Sequence, residues 1–346
     1  MMKIEVTVGP KQADFVGDAH LALQAAVDYV TKLGGGTVRV LPGTYQMGNS
    51  LFLRDKLRLV GSGEDTILRK CPSAVTKLVD DTDWYDATVH VADPSVFRVG
   101  GGLLLRGKSP FYEKRMQYVK LTVVAIEGNV IHVDREVRED FWPEAGAEAA
   151  TLFPVVTGNY VNDIVVENLT IDGNRAQNDH LDGNYGGNIF IQDCDRVVIR
   201  NVTTRDGHGD GVSWQVCDDV TVDNCRSLNN ADLGLHPGSG SQRPIVTNNR
   251  IIGCGTGLYF CWGVKHGRAE GNVIEDSGKY GITIGHRDTD NLVRNNQVRR
   301  SGINGIQFRD HSVHRRNPHR NVFEGNLIED SGVKGDCVAI EMLGTA

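Results

Sequence analysis

Side chains able to exchange protons or hold a charged ligand concentrate between residues 206 and 310. Asp206, His208 and Asp210 fall within five positions, and Asp232, His236 and Tyr259 follow. Beyond them come Trp262, His266, His286, Arg287, Arg309 and Asp310. Two chemistries suit such a set. Removing the proton α to a carboxylate needs a base, and a cation to stabilise the enolate-like charge. His236 or Tyr259 would be that base, and Arg287 or Arg309 that cation. Hydrolysing a glycosidic bond needs instead two carboxyl groups roughly 5–10 Å apart. Asp206, Asp210 and Asp232 are the candidates, with His208 as a tuning neighbour. Trp262 and Tyr259 are flat apolar surfaces on which a sugar ring could stack, and His286, Asp310, Asp232 and His266 complete the substrate-binding candidates. Each residue alone has an ordinary explanation, since Asp favours turns and single exposed aromatics are common. The clustering is what singles them out.

The clustering follows from a repeat. Asn188, Gly211, Gly234, Gly257, Gly281, Gly305 and Cys337 are spaced by 23, 23, 23, 24, 24 and 32 residues. After each marker comes an aliphatic residue: Ile189, Val212, Leu235, Leu258, Ile282, Ile306, Val338. Two further on stand Ile191, Trp214, Pro237, Phe260, Ile284, Phe308 and Ile340, with mixed residues between. Period 2 marks a strand with one buried face, and a Gly or Asn marker is what a left-handed turn before the strand would favour. A second column, Asn168, Asn201, Asn224, Asn249, Asn272, Asn296 and Asn326, predicts stacked amide ladders. Cys194 and Cys217 stack in the same way and read as small core residues.

A repeat of about 23 residues is too short for helix pairs and lacks a leucine-rich signature. It fits coils of short strands stacked at the ~4.8 Å spacing of paired strands. The fold class is therefore all-β, a parallel β-solenoid. Residues 19–33 read as one amphipathic helix stopped by Gly34–Gly36 and suited to cover an open end. TVRVLPGTYQM and KLRLVGSG look like the first strands, while residues 84–158 break the period and read as a β-rich insertion. The expected division is 1–83 for the cap and first coils, 84–158 for the insertion, and 159–346 for the coils carrying the site. The last strand is followed by no visible cap, an open edge that either a homo-oligomer such as a trimer or a continuation of the chain would cover.

The segment DAHLALQAAVDYVTKLGGGTVRVLPGTYQ through KLRLVGSGEDTILRK resembles the N-terminal part of the pectate-lyase-like superfamily. The resemblance implies a right-handed parallel β-helix, most often acting on a polysaccharide; lyases, glycoside hydrolases, uronate epimerases and non-catalytic fibres share that scaffold, so the site must decide. Asp336–Ile340 and Gly207-His208-Gly209 are similar to two strings of the polygalacturonase-type hydrolases. Their order is reversed, however, and Gly335 and Glu341 stand where those enzymes have Asp and Lys.

Composition narrows the classes further. The chain of 346 residues carries a net charge of −7, which argues against a general nucleic-acid binder. No run of about 18 apolar residues occurs, so a spanning helix is excluded. The start, MMKIEVTVGP, lacks a basic-then-apolar leader, leaving the location open between cytoplasmic and secreted after leader removal. Seven Cys without short paired spacings make neither a disulfide framework nor a zinc cage. Residues 309–320 hold four Arg and three His, a patch suited to an anionic polymer. A metal site from His311, His314 and His319 lacks a carboxylate partner. No cofactor is required, and Ca²⁺ finds no support in an EF-type loop or a Gly-Asp nonapeptide repeat. The string Gly183–Asn188, with Asp182 ahead, opens no helix and so makes no phosphate cradle. These readings converge on an enzyme that cleaves an acidic, uronate-containing glycan by β-elimination. The alternatives are a hydrolase using the Asp set, a uronate C5-epimerase, or a non-catalytic glycan binder.

Overall fold

The computed structural model describes residues 4–112, 115–309, 316–333 and 338–343. Its coils stack as a parallel β-helix. One face is a nine-stranded sheet that runs from Leu51–Phe52 and Val156–Asn159 through Gly187–Gln192, Asp210–Gln215, Leu233–Pro237, Thr256–Tyr259, Tyr280–Ile284 and Asn304–Phe308 to Ile340–Met342. The period-2 residues of these strands point inward: Ile189, Val212, Leu235, Leu258, Ile282 and Ile306 are all buried in one continuous core with Ile191, Trp214, Phe260 and Ile284. The other two faces join into an eighteen-stranded sheet. They join because Asn162–Asp172 and Asp195–Arg205 run through both faces, bending at Asn168 and Asn201, which have φ of 56° and 53°.

Those two bends correct the reading of the Asn column, which merges two structural positions. Asn168, Asn201 and Asn224 occupy the left-handed corner, a place taken in later coils by Asn248, Gly271, Asn295 and Gly325. The amide ladder lies one residue further on. Asn249 Nδ2 donates to Asn272 Oδ1 at 2.9 Å, Asn272 to Asn296 at 2.8 Å, and Asn296 to Asn326 at 2.9 Å. Each Oδ1 also accepts the backbone N–H of the preceding ladder residue. Buried amides are thus satisfied coil to coil, which is what allows polar side chains inside the solenoid.

The marker glycines are corrected too. None of Gly211, Gly234, Gly257, Gly281 and Gly305 has a positive φ. They are glycines because the next coil and the opposite wall come too close. A Cβ on Gly281 would stand 2.2 Å from Val298 Cγ1 and 2.6 Å from the Gly305 carbonyl oxygen, and one on Gly257 2.3 Å from Ile274 Cγ2. The helix is His20–Lys32, with Leu23, Ala26, Val27 and Val30 buried, and it stops where Gly34 and Gly35 turn left-handed at φ of 98° and 103°. A strand not foreseen from sequence, Ile4–Gly9, pairs in parallel with Gly36–Val40 and so starts the stack.

The irregular stretch folds as a six-stranded antiparallel sheet from Val75–Lys77, Thr88–His90, Gly102–Lys108, Met116–Glu127, Val130–Val133 and Glu148–Ala150. It has its own core around Leu103, Leu105, Val123, Ile131 and Phe141. Val156–Asn159 belongs instead to the coils, pairing with Leu51–Phe52 and Gly187–Gln192. Cys194 and Cys217 are buried free thiols, the backbone N–H of the first donating to the sulfur of the second at 3.4 Å. No helix among the described residues is long and apolar enough to cross a membrane.

Candidate active site

The outward residues of the nine-stranded sheet form one column across successive coils: Phe190, Ser213, His236, Tyr259, Thr283 and Gln307. Parallel stacking turns residues about 23 apart in sequence into neighbours at strand spacing. At the centre of the column the ring of His236 meets Tyr259 edge-on, centroids 5.4 Å apart at 89°.

His236 is held from one side. Its Nδ1 lies 2.7 Å from Asp210 Oδ2, and both side chains are almost completely buried. Asp210 Oδ1 accepts the backbone N–H of Leu233 at 3.0 Å, so both carboxyl oxygens are engaged. Ser213 Oγ sits 3.2 Å from the same Nδ1 and donates to the Gly183 carbonyl. His236 Nε2 has no hydrogen-bond partner. Burial disfavours the imidazolium, but the Asp210 charge and hydrogen bond outweigh it, and with Cys261 adding they push the pKa up to about 9. Burial in turn raises the Asp210 carboxyl. Both shifts favour a proton held between the two groups, while the Nε2 side of the ring finds no nitrogen or oxygen partner and has the Cys261 thiol near it.

One wall of the site is a strap leading into Gly187–Gln192. The insertion fastens it: Arg106 pairs with Asp179 at 2.9 Å, Tyr118 stacks on Tyr185 at 4.3 Å, and Leu181 is buried against Leu104, Ala150 and Leu152. Gly183 must be glycine, because a Cβ there would stand 2.2 Å from the Asp210 carboxylate. The strap carries His180, whose Nε2 lies 2.7 Å from Asp232 Oδ2. Between strap and sheet opens a cleft of about 610 Å³, lined by His180, Asp182, Asp210, Asp232, His236, Tyr259, Cys261, Trp262 and Lys279 among others. Trp262 stands at its edge, 57% exposed, stacked on His286 at 4.4 Å and 20°.

Other expected residues lie elsewhere. Arg309 is under the floor: its guanidinium sits 4.0 Å over the Tyr259 ring and bonds Thr283 Oγ1, the Phe260 carbonyl and Asp288. Burial raises the Tyr259 phenol pKa, with Arg309 opposing. Asp288, which also accepts the backbone N–H groups of Gly263, Val264 and Gly285, is pushed by burial up to about 6. Neither Arg309 nor Arg287 lines the cleft; Arg287 is in a left-handed turn, its N–H bonded to the Arg316 carbonyl. Asp206 lies outside it, in a hollow with Asp172 and Arg175. His208 is buried, and loss of solvent pushes its pKa down to about 3. His266 is exposed on a turn whose N–H bonds the Thr289 carbonyl. Asp310, His311, His314 and the Asp336-Cys337 string lie outside the described residues. Among the described residues no three His, Cys, Asp or Glu side chains gather as metal ligands.

Sequence reasoning missed His180, Asp182 and Lys279 as cleft residues. Lys279 sits just ahead of the Tyr280–Ile284 strand, a place the repeat could have flagged. His180 and Asp182 belong to the strap, which has no counterpart in the other coils and so no column to betray it.

Comparison with known proteins agrees with this architecture. Residues 187–342 match the family model described as right handed beta helix region. The fold is similar to the A-module of a mannuronan C-5 epimerase from Azotobacter vinelandii, at 16% identity and TM-score 0.52 over 93% of this chain and 75% of that one. It is also similar to a hyperthermoactive exopolygalacturonase from Thermotoga maritima (10% identity, TM-score 0.43, 93% and 87% covered). A tailspike protein of Pseudomonas phage LKA1 is a third likeness (15%, 0.37, 94% and 72%). No functionally curated sequence matches the chain. With a family model matching residues 187–342 and a continuous parallel coil stack, the fold is a right-handed parallel β-helix.

Proposed function

We propose that the protein acts on a uronate-containing polysaccharide, abstracting the proton α to the sugar carboxyl in the His236 cleft and cleaving the chain by β-elimination. The observation that carries this reading is the unpartnered Nε2 of His236, buried on the cleft floor and paired with Asp210 on its other side. An imidazolium held there meets a carboxylate as it takes on enolate character, the charge that limits proton removal from such a carbon. His180, oriented through Nε2 by Asp232, is the base on the opposite wall. Tyr259, kept protonated by burial, donates to the departing glycosidic oxygen. The proton leaves the α carbon, its electron pair forms the new C=C bond, and the C–O bond to the leaving sugar breaks. Trp262 offers a flat face for a neighbouring sugar ring.

Two of the three carboxylates foreseen for hydrolysis are not available to it, which leaves Asp232. Asp206 lies outside the cleft, and both oxygens of Asp210 are spent on His236 and Leu233. The likeness to a protein named as a mannuronan C-5 epimerase is a likeness of fold; epimerisation would share the first proton transfer and return a proton to the opposite face.

The test is ultraviolet absorbance of unsaturated uronate products, followed with alginate, polygalacturonate and glycosaminoglycan substrates. Elimination predicts a rise with the wild type that is lost in His236→Gln and His180→Gln. New reducing ends without that absorbance, vanishing in Asp232→Asn, would replace the proposal by hydrolysis. Hydrogen exchange at the α carbon without cleavage would replace it by epimerisation.

A further inference from the structure

A second cleft opens on the same sheet face, on the other side of the strap. Its volume is about 420 Å³, and coil and insertion build it together: Arg54, Asn159 and Gln192 from the coils, Lys120 and Arg135 from the antiparallel sheet. Three cations line it and no carboxylate does. That is notable in a chain of net charge −7, whose first cleft is lined by Asp182, Asp210 and Asp232.

The three cations are not equivalent. Arg54 and Arg135 are part-exposed and each pairs with one acid outside the lining, Asp28 at 3.0 Å and Asp134 at 2.9 Å. Lys120 makes no ion pair among the described residues. Its Nζ donates to the Tyr185 carbonyl at 2.6 Å and sits 4.0 Å over the Phe190 ring, so the same ammonium ties the insertion to the strap. Burial, and then the nearby Arg135 charge, push its pKa down to about 7. Lys120 thus stands near Arg135 with no acid of its own among the described residues, and an entering anion would relieve that repulsion. Asn159 and Gln192 supply neutral groups able to bond sugar hydroxyls.

We propose that this cleft is a binding site for a sugar acid, recognised through its carboxylate by Lys120, Arg54 and Arg135 and separate from the His236 cleft. The two clefts share no lining residue, so the site stands whether or not the first cleft is catalytic.

The test is isothermal titration calorimetry of the full chain with D-glucuronate, D-glucose and inorganic phosphate. Glucuronate is expected to bind while glucose does not. Affinity should fall at least about tenfold, the scale of one lost charged contact, in the Arg54→Gln/Arg135→Gln variant and stay unchanged in His236→Gln. Titrations near neutral pH in two buffers of different ionisation enthalpy add a readout on the wild type alone, because an anion beside Lys120 raises its proton occupancy and binding must take up protons. Loss of glucuronate binding in His236→Gln alone would move the ligand to the first cleft. Equal affinity in the double arginine variant, binding of phosphate without glucuronate, or no binding of either anion would each overturn the proposal.

Discussion

Asp210 Oδ2 lies 2.7 Å from His236 Nδ1 although the two residues are 26 apart in sequence, and stacking of adjacent coils is what brings them together. A buried acid and a buried base each cost free energy alone; together they share one proton and fix the imidazole ring in one orientation. The orientation leaves Nε2 as the unpartnered nitrogen of the pair, buried at the floor of the cleft.

The pair sets a pH dependence. His236 carries its catalytic charge below about 9 and loses it as pH rises through that value, so activity should decline on the alkaline side. Asp210→Asn removes the charge that raises the imidazole, leaving burial, which works the other way. The alkaline decline should move to lower pH, and activity near neutrality should fall by about 10²- to 10⁴-fold. Initial rates across the pH range check this; a decline at the same pH in both proteins would assign that limb to another group.

The strap offers a test that leaves the coils alone. In Gly183→Ala the new Cβ would have to occupy space 2.2 Å from the Asp210 carboxylate, displacing either the strap or the pair. Turnover should drop by about tenfold or more, as expected for a misplaced catalytic group. Stability to urea should fall as well, by the roughly 1–3 kcal/mol typical of overpacking, because Gly183 is buried. Rates and denaturation curves on the same preparations separate the two effects.

Two glycines of one coil should respond in opposite ways. Gly281→Ala forces a methyl against Val298 and the Gly305 carbonyl, and overpacking of this kind costs about 1–3 kcal/mol. Gly278→Ala meets nothing nearer than 3.5 Å and should stay within about 0.5 kcal/mol of the wild type. Equilibrium urea unfolding would show the difference directly, and equal midpoints would remove the close-approach explanation of the glycine column.

Lys70 provides a stability prediction whose sign is fixed. Its ammonium is buried, bonded to the carbonyls of Cys71 and Thr151 and placed 3.8 Å over Phe153, and loss of solvent lowers its pKa to about 7. The unfolded chain, with an ordinary lysine, binds more protons between pH 7 and about 10, so stability rises with pH there. Lys70's share of that rise is about 1 kcal/mol per pH unit between pH 7 and 9. Lys70→Met should lose it, and unfolding free energies measured at both pH values test the slope.

The period of about 23 residues, the inward aliphatics and the Gly34 stop made the solenoid and its helix legible from sequence, because each is a local pattern. The same columns placed His236 beside Tyr259 and Trp262 beside His286, since parallel stacking converts repeat position into adjacency. Arg309 shows where columns fail: it lies two coil steps from Tyr259 by count, yet its long side chain turns under that ring to satisfy the buried Asp288. The Asn ladder shows the same limit at one-residue scale, because an amide in a left-handed corner and an amide pointing inward are indistinguishable as letters.

Sequence by itself thus determined the coil, its core face and the line of residues along which a site could form, all set by spacing and by side-chain polarity. Tertiary structure alone decided the cleft. The strap with His180 and Asp182 belongs to no repeat, and an antiparallel sheet more than 60 residues away in sequence holds it through Arg106, Tyr118 and Lys120. Whether a carboxylate is free or spent, as in Asp206 against Asp210, depends on what packs over it, and packing of that kind is non-local.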